Sequence, residues 1–98
     1  MKFELVYTET AAAQRKALEG SANLAKRWKA VRRALGMMEV NLRHPGLQPH
    51  EFLSLTGPTG EKVFEAYAEN KTPAAYRIFW HYGPGTGKIT IVAITDHP

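Results

Sequence analysis

An α+β fold is what this sequence predicts: two N-terminal helices packed on a small, mostly antiparallel twisted sheet, in the order β-α-α-β-β-β-β. Three observations predict it. Residues 2–7 alternate, with Phe3, Leu5 and Tyr7 on one side and Lys2 and Glu4 on the other, the period of a strand. Leu24, Trp28, Val31, Leu35, Met38 and Leu42 recur at alternating steps of four and three, which is one apolar stripe of an α-helix. After Pro49 the chain becomes a series of Val-, Ile- and aromatic-rich runs divided by Gly- and Pro-containing turns.

Each element has its own local reason. The opening strand covers residues 2–7. A first helix, residues 10–19, follows because Thr8 or Thr10 can accept from the free N–H groups of the first turn, Ala11-Ala12-Ala13 favours helix, and Gly20 can end it in a left-handed conformation. The second helix spans residues 23–43, carries Lys26, Lys29 and Arg33 away from its stripe, and stops at Pro45-Gly46. Short strands at residues 51–55 and 62–69 flank the turn Gly57-Pro58-Thr59-Gly60. The two strongest strands, residues 75–82 and 88–95, are joined by Gly83-Pro84-Gly85-Thr86-Gly87. Strands in succession through short turns pair antiparallel, so both helices cover one face of the sheet.

Ninety-eight residues suffice for one domain, residues 1–98, and not for two. No apolar run is long enough to span a membrane, the N-terminus lacks the order of a signal peptide, and the chain is read as cytoplasmic. The absence of cysteine excludes disulfides, thiolate metal sites and a Cys nucleophile. The net charge of +4 is unevenly placed: residues 11–46 hold eight Lys/Arg against two acids, 8 − 2 = +6, and the remainder five against seven, 5 − 7 = −2. Such a basic helical face suits a polyanion or an acidic partner, and equally serves as a solvated surface.

Two motif-like stretches fail on inspection. Gly83 to Lys88 has one residue too few between its glycines for a phosphate loop, Ile89 where Ser or Thr is required, and a strand where a helix should follow. The sequon Asn70-Lys71-Thr72 has no secretory context. His44, His50, His81 and His97 show no metal-ligand spacing, so no metal or other cofactor is expected. What survives is the strand 75–82, where Tyr76, Ile78, Trp80 and Tyr82 form one face and Arg77, Phe79 and His81 the other. If Tyr82 faces Lys88, residue n lies opposite 170 − n, Arg77 faces Ala93, and Thr95 and His97 share Arg77's face. A guanidinium and an imidazole so placed suit phosphodiester chemistry, and an Arg77–Glu65 ion pair is the structural alternative.

The element order, the helix exit Asn41-Leu42-Arg43-His44-Pro45-Gly46-Leu47, the strand Ala74-Ala75-Tyr76-Arg77-Ile78-Phe79-Trp80 and the run from Lys88 to His97 together resemble the RelE/ParE superfamily of toxin–antitoxin toxins. The resemblance spans nearly the whole chain, and its most specific parts are the Tyr-Arg-Ile strand and the penultimate histidine. It implies a toxin neutralised by a cognate antitoxin. In the RelE-like branch it implies a metal-independent endoribonuclease acting on mRNA at the ribosome; in the ParE-like branch, a gyrase inhibitor without that catalytic set. By the resemblance Glu51 is the general base that takes the 2′-hydroxyl proton, Arg77 holds the scissile phosphate, and His97 protonates the leaving 5′-oxygen. Tyr67, His81, Lys62 and Arg43 are the implied RNA contacts, Tyr67 as a stacking ring. Two departures stand out: Glu65, Ala66 and Tyr67 occupy a strand where active relatives carry extra Arg or Lys, and Pro98 stands where an aromatic closes the chain. A Glu65–Arg77 pair that excludes phosphate would leave an inactive relative that binds only antitoxin or operator DNA.

Overall fold

The computed structural model describes residues 2–70 and 74–96. In chain order they form β1 (Glu4–Tyr7), α1 (Glu9–Glu19), α2 (Ala25–Val40), β2 (His50–Thr56), β3 (Lys62–Tyr67), β4 (Tyr76–Tyr82) and β5 (Lys88–Asp96). Short 3₁₀ turns at Ala22–Leu24 and Pro45–Leu47 enter α2 and precede β2. The five strands make one mixed sheet in the order β1-β5-β4-β3-β2; β1 runs parallel to β5 and the other neighbours are antiparallel. The parallel pair follows from the two helices between β1 and β2, which carry the chain across one face of the sheet.

Thr8 caps α1, its hydroxyl accepting from the Ala11 N–H at 3.1 Å and donating to the Val92 carbonyl at 2.9 Å, so one side chain starts the helix and ties it to β5. Gly20 ends α1 at φ −85°, a right-handed conformation and not the left-handed one expected, because its N–H bonds back to the Lys16 and Leu18 carbonyls in a tightened last turn. The second helix is shorter than the stripe predicts: Ala22–Leu24 winds as 3₁₀ ahead of it, and the chain leaves at Asn41, whose N–H still reaches the Met37 carbonyl. Val31, Leu35, Met38 and Leu42 are buried as the stripe requires, against Ile78, Trp80, Ile89, Ile91 and Ile94 of the sheet.

Register decides the two faces of the sheet. Phe64 pairs with Trp80, Ala66 with Ile78 and Ile78 with Ile94, all on the helix side. Glu65 pairs with Phe79 and with His50, Tyr67 with Arg77, and His81 with Thr90, all on the open side. The predicted β4–β5 register is corrected: Arg77 faces Thr95 and Phe79 faces Ala93. Tyr82 pairs with Ile89, and a bulge between the Phe79 and Trp80 pairs adds one residue on β5, restoring Arg77 and Thr95 to one face. Tyr82, at the end of β4, is about half exposed, its ring against Phe3 and Phe64.

Candidate functional site

Side chains of chemical interest gather on the open face. Arg77 lies in the middle of them, its side chain only 13% exposed. Its guanidinium carbon sits 3.7 Å from the centre of the Tyr67 ring, a desolvated cation–π contact. Nη1 donates to the carbonyls of Glu69, Ala75 and Tyr76 at 3.2–3.4 Å, closing the β3–β4 turn. Nε stands 4.0 Å from Glu65 Oε2, too far for a hydrogen bond but near enough for the charges to attract across adjacent strands.

Glu65 is 1% exposed, and its other oxygen is 2.7 Å from His50 Nε2. The second ring nitrogen of His50 is 3.0 Å from the Gln48 carbonyl. Each ring nitrogen of His50 is thus engaged with a protein oxygen, Nδ1 with a carbonyl and Nε2 with a carboxylate. The ring stands edge-on to Tyr67, with its own side chain about half exposed. A half-exposed imidazole with both nitrogens engaged is therefore held by a buried carboxylate beside a guanidinium. Farther along the groove Phe52 meets Phe79 edge to face, and the space beside them, about 660 Å³, is bounded by Ser54, Ala93, Thr95 and Asp96.

The structure separates some residues that the sequence grouped together. Glu51 pairs with Phe64 and so projects to the helix side at the edge of the sheet, opposite to Arg77. Side chains alternate along a strand, and the residue that reaches the open face at this point is His50. His97 lies outside the described residues. Tyr67 and His81 share Arg77's face; Lys62, two residues from Phe64 on β3, is on the other, and Arg43 lies exposed in the turn after α2. His50 and Glu65 were missed as a pair. Their contact depends on β2–β3 register, which is irregular after Glu51.

The helical basic residues divide likewise. Arg27 bonds Glu69 at 2.8 Å and covers Tyr76, and Arg15 bonds Glu19 and the Tyr7 hydroxyl, so both are structural. Burial pushes the Tyr7 hydroxyl's pKa up even against the neighbouring Arg15 charge. Lys26, Lys29, Arg32 and Arg33 remain exposed on α2. No group of three or more His, Asp or Glu side chains that could hold a metal exists among the described residues.

Three solved structures match this architecture along essentially its full length. One is the archaeal RelE–RelB complex from Pyrococcus horikoshii OT3, at 12% identity and a TM-score of 0.64, covering 98% of this chain and 96% of that one. The chain has the RelE/ParE toxin fold. A YoeB/ParE toxin from Agrobacterium tumefaciens matches at 13% identity and a TM-score of 0.64, and the YoeB dimer from Staphylococcus aureus at 13% and 0.63, each covering the whole of both chains. No protein-family model matches the chain, and no curated protein matches it in sequence. The α+β architecture read from the sequence is thus the architecture of the RelE/ParE toxins, with β1 parallel to β5 as its one parallel pair.

Proposed function

We propose that this protein is the toxin of a toxin–antitoxin pair and that its open sheet face cleaves mRNA on the ribosome without a metal. The observation that carries this reading is the placement of His50, Glu65 and Arg77 on one face, an imidazole and a guanidinium bracketing a buried carboxylate. In the reaction the RNA 2′-hydroxyl attacks the adjacent phosphorus and the bond to the 5′-oxygen breaks. Arg77 offsets the charge that builds on the phosphate, and His50 Nδ1, on exchanging the Gln48 carbonyl for the substrate, delivers the proton the leaving oxygen takes up. The proton of the 2′-hydroxyl passes to solvent. Glu65 orients the His50 ring through Nε2. A cognate antitoxin supplies the neutralising partner, as RelB accompanies RelE in the archaeal complex. The groove between β1 and the helices, about 460 Å³ and lined by Leu5, Tyr7 and Leu35 with Arg15, Arg32, Glu4 and Glu39, offers such a chain an apolar floor with edges of both charges, and the exposed lysines of α2 add a cationic surface.

One observation favours a second reading. Arg77 Nη1 is committed to three carbonyls and its plane to Tyr67, so the guanidinium is part of the fold, and a protein using it only so would bind antitoxin without cutting RNA. Primer extension on ribosome-bound mRNA after brief expression separates the two. Wild-type protein should cut, and Arg77→Ala and His50→Ala should each lower cutting by about 10²-fold or more. Imidazole added to the medium of a purified ribosome assay should restore part of the His50→Ala activity. Growth arrest by wild type with intact mRNA and an SOS response would establish gyrase as the target instead.

A further inference from the structure

The helix layer carries a second charged surface, on the side of the molecule away from Arg77. Lys26, Lys29 and Arg33 stand at steps of three and four on α2, the spacing of neighbours on one helical face, and with Ala30 they line a hollow of about 280 Å³. Val31, Ala34, Leu35 and Met38 form the buried line of the same helix, and the basic stripe falls roughly opposite to it, pointing away from the sheet. None of the three cations makes an ion pair among the described residues. Arg15 and Arg27, by contrast, are each committed to a glutamate, and Arg32 borders the groove that also holds Glu4 and Glu39.

The stripe also works against the helix that bears it. The N-terminal end of a helix is its positive end and favours acids, yet the first turn of α2 holds no acid and has Lys26 in it. Cations set against their own element, with no acid of the chain beside them, are compensated from outside by an anion. The chemistry of the hollow narrows which anion. A docking protein segment draws its affinity from apolar anchors, and the hollow offers only Ala30; the groove beside β1, with Leu5, Tyr7 and Leu35, is the surface of that kind. A single nucleic-acid strand is held by rings on which its bases stack, and no ring lines the hollow.

The phosphate backbone of a double helix, bound by charge alone, fits both exclusions. From Lys26 to Arg33 is about 10 Å along the axis of α2, the length over which one strand of a duplex presents about three phosphates. The message in the proposed site lies across the sheet from this stripe, so the duplex is a second nucleic acid. We infer that Lys26, Lys29 and Arg33 dock the protein on a double-helical segment of ribosomal RNA while the open face holds the mRNA. The inference rests on the reading of the open face as a site that cuts mRNA on the ribosome, and it assigns the surface that anchors the protein there.

The test is fluorescence anisotropy of the full chain with a blunt RNA duplex of about 16 base pairs, the length a double-strand-binding module spans, across about 50–200 mM salt. Each phosphate neutralised adds about 0.9 to the slope of log affinity against log salt, so Lys26→Gln/Lys29→Gln should flatten the slope by about 1.8, and adding Arg33→Gln by about 2.7. Lys2→Gln/Lys16→Gln, which removes the same charge from exposed positions off the stripe, should change it by less than about 0.5. Equal flattening by the two pairs, or no duplex binding by wild type at about 50 mM salt, overturns the docking surface. On ribosomes the triple variant should need about tenfold or more ribosome for half-maximal cutting, and an unchanged requirement overturns it as well. The cutting reading fails separately: wild type that binds the duplex through the stripe and leaves ribosome-bound mRNA intact keeps the docking surface and removes the nuclease.

Discussion

The two faces of the sheet are buried to similar depth by different means. On the helix side, Ile78, Trp80, Ile89, Ile91 and Ile94 meet the stripe of α2, and the burial is almost wholly apolar. On the open side, β2 and the turns cover Glu65, Arg77, Phe79 and His81, and the polar members are kept there by one another and by backbone carbonyls. Apolar burial is additive and forgiving of partner identity, roughly in proportion to area. Polar burial is conditional: each group is tolerated only while its partner stays. A site for chemistry belongs on the second kind of face, where charges are held dry and oriented without being neutralised by packing.

Truncation on the helix side should give the largest loss of stability. Trp80→Ala should cost about 3–5 kcal/mol, and Leu35→Ala about 2–5, in chemical denaturation. A change under about 0.5 kcal/mol at Leu35, the range of ordinary surface substitutions, would mean that the stripe of α2 does not pack on the sheet.

On the open side the single and double changes should differ in kind. Arg77→Met alone leaves Glu65 with His50 as its neighbour but removes the nearby guanidinium and its three carbonyl bonds, and should cost about 3 kcal/mol. Adding Glu65→Leu removes the carboxylate whose charge the guanidinium offsets, so the double variant should lose less than the sum of the two single losses. If the two substitutions simply add, the faces do not differ in the way described.

Thr8 bridges the helix layer and the sheet. Thr8→Val keeps the volume and removes both the cap to Ala11 and the bond to Val92, so the expected loss is about 1–2 kcal/mol with no change in the apolar core. Near-UV spectra of Trp80 and Trp28 should stay as in wild type.

The smallest effect is a matter of pH. Glu61, whose carboxylate accepts from the Thr59 hydroxyl and N–H, has its folded pKa lowered from 4.5 to about 2, so its contribution to stability is complete above the unfolded value and is lost as pH falls from about 4.5 toward 2. Glu61→Gln should flatten that part of the stability–pH curve while leaving the curve above pH 5 unchanged in shape. A wild-type curve that is already flat between these limits would show that the Thr59 bonds do not hold the carboxylate in solution.

Much of this architecture is legible in periodicity. Steps of three and four in residues 24–42 specify a helix with one buried face, alternation in residues 3–7 specifies a strand, and three glycines in the β4–β5 hairpin, with φ between +76° and +92°, meet a conformation that side chains resist. Arg77 was legible as well, since a lone arginine in an apolar strand calls for a partner. The site was only partly legible. Glu51 and His50 are neighbours in sequence, and which of them reaches the open face depends on β2–β3 pairing, where a slip of one residue exchanges the faces.

The sequence by itself determined the order of the elements, the apolar side of each and the absence of cysteine chemistry, because these rest on local propensity and on residue types that no fold can alter. Only the tertiary structure decided that Glu65 lies between His50 and Arg77 and that a bulge on β5 returns Thr95 to Arg77's face. Those outcomes depend on strand register and on where a strand bulges. Both are settled by strands distant in sequence meeting in space, where a displacement of one residue, about 3.3 Å, changes the chemistry of a face.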